Sequence, residues 1–168
     1  LTGILLFKND FRGILRRLER LETSSASVQF REQLESVADE TTGTTEAKSE
    51  DRSKWLNEML KIAEINPRAA IIEAWTSIEV ACVSLGMVQG ATMLRFSPQA
   101  LEIFLHEIPD FDANMIRRVM NLRQLRNRVT HGVDADFDFV DAKKYIELAD
   151  KTLSALNSAN KSKHPAAA

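Results

Sequence analysis

The chain has 168 residues, with 22 Lys and Arg against 24 Asp and Glu, a formal net charge of −2 and 44% hydrophobic residues. That is the mix of a globular domain with a solvated surface, and its balanced charge excludes a bulk polybasic nucleic-acid binder while leaving room for a local basic patch. With one cysteine (Cys82), three histidines and six glycines in no G-x-G-x-x-G or Walker-type run, disulfide scaffolds, zinc ribbons, haem attachment and the usual phosphate-cradling loops are excluded.

The chain opens on an apolar run, Leu1 to Phe7, that leads straight into Lys8, Arg12, Arg16, Arg17 and Arg20. Two readings are open: the stub of a removed membrane segment with its basic flank, or an ordinary apolar helix end. Phe7, Phe11, Ile14, Leu18 and Leu21 repeat at spacings of four and three, which predicts a helix over about residues 8–22. Its stripe packs either on the domain or on a second copy of itself. A short apolar alternation at 27–30 predicts an isolated strand, followed by a weakly helical piece to about Ala38. Residues 1–40 thus form an N-terminal amphipathic, basic arm. Residues 41–53 are rich in threonine and poor in large apolar residues, so they predict a flexible linker and the best internal boundary.

The domain proper spans 54–158. Trp55, Leu56, Met59, Leu60 and Ala63 mark a helix that stops before Asn66-Pro67. Asn66 is a good N-cap and Pro67 suits the first helical position, where a missing N–H costs nothing. A helix then runs to about Leu85, with Gly86 placed to end it. Ile71, Trp75, Ile78, Cys82 and Leu85 form its main stripe, and Ile72, Val80 and Val83 are apolar elsewhere; a helix greasy on most faces is a central one. No unbroken run of about 18 apolar residues predicts a bilayer span. Ser97-Pro98 starts a helix through His106, Asp112 caps one that runs to His131 before Gly132, and Asp138 and Asp141 open a last one carrying Tyr145, Ile146, Ala149, Leu153 and Leu156. Residues 159–168, with His164, read as a disordered tail. The expected fold is all-α, an antiparallel helical bundle.

Between Ala113 and Val133 there is no acidic residue, and there are five arginines: Arg117, Arg118, Arg123, Arg126 and Arg128. The plain alternative to a phosphate-binding face is a solvated helix side paired with acids of its neighbours. Met115, Val119, Leu122, Leu125 and Val129 form the expected core stripe, while Arg123, Asn127 and His131 repeat at i, i+4 and i+8 on a polar one. Arg117 and Arg128 share a third side. Arg126 falls at the edge of the apolar sector, so its guanidinium must be paired or must project into an interface. Glu79 falls among Ile72, Trp75 and Val83, which predicts a buried Glu79–Arg126 pair. His131 occupies the last turn, where the negative end of the helix dipole favours a cation. Asn127, one turn back, is placed to orient its ring. Arginines at 117, 123, 126 and 128 are candidate phosphate contacts, since guanidinium suits that geometry.

Leu125-Arg126-Asn127-Arg128-Val129-Thr130-His131-Gly132 resembles the R-N-x-x-x-H signature of HEPN domains, helical bundles of toxins, phage-defence proteins and RNA-processing systems. Asn66 to Trp75, with Glu79 after it, is similar to the long central helix of HEPN-like bacterial proteins. The match covers about residues 54–157. The arm resembles, more loosely, membrane-tethered relatives in which a basic helix follows transmembrane segments. What the resemblance implies is metal-independent RNA cleavage by a homodimer, with both motifs lining one cleft and no cofactor. Arg126 would steady the phosphate, His131 would move the proton and Asn127 would orient them. It also implies a cytoplasmic protein, free or tethered through a segment before Leu1, with an antitoxin or the membrane-anchored remainder of a longer chain as partner.

Two other classes stay open. One is a non-catalytic HEPN-like module that binds nucleotide or RNA through the arginine patch. The other is a structural domain that oligomerises through the stripe from Phe7 to Leu21. The acids of Asp134-Ala135-Asp136-Phe137-Asp138 lack the glycine and distal glutamate of a calcium loop and are read as loop solvation and a cap.

Overall fold

The computed structural model describes residues 27–39, 50–88, 97–108, 111–131 and 136–163. The expected helix at 8–22, the linker at 41–49, Gly132 and His164 lie outside the described residues. Six helices account for nearly all of the rest: α1 (27–39), α2 (Glu50–Ile65), α3 (Pro67–Val88), α4 (Pro98–Glu107), α5 (Ala113–His131) and α6 (Phe139–Lys163). The fold is an all-α bundle.

Local chemistry sets the helix starts. Asn66 Oδ1 accepts from the Ala69 N–H at 3.0 Å, Ser97 Oγ from Ala100 at 3.1 Å and Asp112 Oδ1 from Met115 at 2.7 Å. Each satisfies a donor that the first helical turn leaves without a partner. Asp138 and Asp141 close a reciprocal capping box: Asp141 N–H donates to Asp138 Oδ1 (2.9 Å) and Asp138 N–H to Asp141 Oδ2 (3.2 Å). Asn66 alone links α2 to α3, and the Trp55 indole N–H reaches Ser77 Oγ at 3.1 Å. Trp55 and Ser77 lie equally far from Asn66 along the chain, so α2 and α3 form an antiparallel hairpin.

The core is one continuous cluster centred on α3, where Ile71, Trp75, Ile78, Cys82 and Leu85 are all buried. Against them pack Tyr145, Ile146, Ala149 and Leu156 of α6 and Val119, Leu122, Leu125 and Val129 of α5. Over Pro67–Gly86, α3 is long and apolar enough to cross a membrane, contrary to the expectation that no segment qualifies. Its composition has a local cause, since one side of the helix fills the centre of the bundle. Gly86 does not stop α3, which continues to Val88.

Three boundaries differ from expectation. Residues 27–30 are helical, not extended, because Ser27, Phe30, Leu34 and Val37 recur at helical spacing and are all buried. Phe30, Leu34 and Val37 belong to the same core as α3, so α1, assigned by sequence to an arm, is a member of the bundle. The α2 helix begins inside the expected linker, held by Arg52, which grips Asp150 through Nε (2.8 Å) and Nη2 (2.9 Å). At the other end α6 runs on to Lys163, into the expected tail.

Arg31 makes the equivalent grip for α1, with Nε and Nη2 on the buried Asp141 at 2.8 and 2.9 Å and Nη2 also 3.3 Å from Asp138. Lys144 bonds Glu35 one turn further along both helices. The pairings advance together, so α1 lies beside the first turns of α6 in the same sense. Phe137, just before α6, meets Phe30 edge-on at 4.9 Å, with the Arg68 guanidinium 5.5 Å from its ring centre.

Candidate functional site

The arginine-rich segment is a single unbroken helix, α5, from Ala113 to His131. Its core side is Ile116, Val119, Leu122, Leu125 and Val129; Ile116, not Met115, opens the stripe, and Met115 is half-buried. Because the helix continues through His131, the relative placement of the motif residues follows from its period.

Arg123, Asn127 and His131 share one strip, with burial falling towards the C-terminal end: the first two are half-buried and His131 is exposed. Arg126 stands beside Asn127 and bonds it, Nη1 donating to Oδ1 at 3.1 Å. Its Nε is buried and has no hydrogen-bond partner among the described residues. Arg126 and His131, five apart in sequence, leave the helix about 140° from each other. Arg126 and Arg128 diverge still more, by about 160°, so one anion cannot be held by both from the same helix. Arg128 is half-buried with Nη1 lacking a partner, and Arg117 on the same side is exposed. The structure therefore joins Arg126 to Asn127, sets Arg123 and His131 one turn either side of Asn127, and places Arg117 and Arg128 apart.

Two expectations fail in detail. Glu79 is exposed and makes no ion pair with Arg126, so the buried Glu79–Arg126 pair does not form. The residues that flank Glu79 on α3 are apolar as expected, with Trp75 buried and Ile72 and Val83 half-buried, but its own carboxylate lies in solvent. Nor does a hydrogen bond join Asn127 to the ring of His131; the Asn127 amide oxygen accepts from Arg126 instead.

Two polar residues to which the sequence reading gave no site role, Arg118 and Tyr145, take buried positions that periodicity signals. Arg118 precedes Leu122, Leu125 and Val129 at i, i+4, i+7 and i+11, hence on the core stripe, and it is buried. Tyr145, wholly buried on α6, donates its hydroxyl proton to the Leu122 carbonyl of α5 at 3.0 Å. Burial pushes its phenol well above the ordinary range; the Arg126 charge opposes that and the Glu79 charge adds to it. The signal was a tyrosine on an apolar stripe, whose hydroxyl must find a partner. Elsewhere, a groove of about 210 Å³ between α1 and the start of α6 is lined by Leu34, Val140 and the ion-paired groups, and none of the motif residues touches it. Cys82, deep in the core, has its thiol pushed up by burial, and further by Glu79, to about 12.

No family model matches the chain, and no curated protein or solved structure matches it either.

Proposed function

We propose that the protein binds RNA at the C-terminal end of α5 and cleaves it without a metal, as a HEPN-like ribonuclease of toxin or defence type. The observation that carries this reading is Arg126, a half-buried guanidinium with one arm on Asn127 and a buried Nε–H without an acceptor among the described residues. Buried donors in folded proteins almost always find a partner, and a phosphate oxygen is the natural one for guanidinium. Cleavage requires that a base take the proton of a ribose 2′-OH as its oxygen attacks phosphorus. An acid then returns a proton to the leaving 5′-oxygen, and a cation steadies the charge on phosphate. Each chain offers one exposed histidine there, so the reading calls for two copies, one imidazole acting as base and the other as acid. Arg117 and Arg128, on another side of α5, are left for a different stretch of backbone.

The test is incubation of labelled single-stranded RNA in EDTA with the protein and with Arg126→Ala and His131→Ala. Cleavage by the parent and loss in both variants is the expected result. A second reading, binding without cleavage, is favoured by the unsupported ring of His131 and its divergence from Arg126. It predicts intact RNA in every lane, with binding that weakens steeply as salt rises.

A further inference from the structure

Tyr145 is the only tyrosine of the chain, and none of its side chain reaches solvent. A phenol inside a core keeps a hydroxyl whose bond cannot be left unmade without cost. Here the proton goes to the carbonyl of Leu122, across from α6 to α5. In an α-helix that same carbonyl accepts the backbone N–H four residues on, which is Arg126. One oxygen therefore ties α6 to the turn of α5 that carries the guanidinium. The Arg126 charge is also felt at the phenol, where it opposes the rise that burial imposes. Among the described residues this arginine makes no ion pair, and its one side-chain hydrogen bond is to its neighbour Asn127.

We propose that Tyr145 is a positioning residue for Arg126, its hydroxyl fixing the turn of α5 that holds the half-buried guanidinium against Asn127 with Nε–H unspent. The functional weight of this proposal rests on the reading of Arg126 as a phosphate contact, whereas the positioning itself is measurable without RNA. Tyr145→Phe removes one oxygen and keeps the ring, so the packing of the core is nearly conserved.

The experiment compares the parent with Tyr145→Phe in two readouts. The first is the Nε–Hε resonance of Arg126 in arginine-labelled protein, assigned by its loss in Arg126→Lys. The second is affinity for labelled single-stranded RNA, taken also in the Arg126→Ala background. The expected result is a displaced resonance and an affinity about five- to tenfold weaker, with no further loss when Arg126 is already alanine. An unmoved resonance overturns the proposal. So does an equal loss of affinity in the Arg126→Ala background, which would mark a general structural effect. If the parent binds no RNA, the phosphate reading fails while the resonance still decides the positioning. Should Tyr145→Phe not fold, fluorotyrosine incorporated at this single tyrosine keeps the hydroxyl. Its fluorine signal shifts in Arg126→Lys if the two groups are linked and stays in place if they are not.

Discussion

Arg126 and His131 occupy different surroundings, and removing each should therefore have a different consequence. Arg126 is half-buried and holds donors in reserve, so Arg126→Ala should weaken RNA affinity and slow cleavage together. His131 stands in solvent, so His131→Ala should leave affinity within about twofold while cleavage falls by roughly 10²–10⁴, the usual loss of a general acid or base. Dissociation constants and single-turnover rates measured on the same preparations separate the two. Cys82 makes a prediction of another kind. Its thiol ionises near 9.0 when unfolded and near 12 when folded, so above pH 9 the unfolded chain releases a proton that the folded one keeps. Stability is thus fully present below pH 9 and declines from there towards pH 12, with Tyr145 adding to the decline from about pH 10 upward. Urea midpoints measured from pH 8 to 11 should fall, and should fall less steeply in Cys82→Ala.

Among the helices, the start of α6 concentrates the most chemistry in the fewest residues. Asp141 closes the capping box with Asp138 and is also the buried end of the grip from Arg31. Asp141→Ala loses both at once and should cost about 2 kcal/mol, read as a lower urea midpoint with an unchanged slope. Asn66→Ala, which removes a cap alone, should cost about half as much. These caps were legible in the sequence because their chemistry is local: a short polar side chain meets an N–H three residues on, whatever else the chain does. The central place of α3 was legible too, from a stripe that repeats without interruption. Residues 27–30 were not, since four residues of alternating character fit a strand and a helix turn equally well. Only the longer spacing to Leu34 and Val37 decides between them. Glu79 marks the other limit. Periodicity gives the angle at which a side chain leaves its helix, but whether it is buried depends on which neighbour packs there. The same gap hid the partners of Asn127, whose oxygen goes to the adjacent Arg126 and not one turn on to His131.

At the scale of the whole molecule, α1 changes what the N-terminal region is for. Phe30, Leu34 and Val37 are each worth about 1.5–3 kcal/mol of burial, a large part of the net stability of a domain this size. A chain beginning at Glu50 should therefore lose its cooperative thermal transition, where an appended arm could be removed without that effect. Circular dichroism of the shortened and full-length proteins, heated side by side, decides it. The partners of α1 lie far along the chain: Arg31 and Asp141 are 110 residues apart. The centre of α3 is likewise closed by α6, the final helix described. During synthesis on the ribosome, α1 to α5 emerge before the helix that completes their core exists. For that interval Trp75 and Ile78 lack the cover of α6, and the apolar surface they leave open is of the kind that aggregates until α6 clears the exit tunnel.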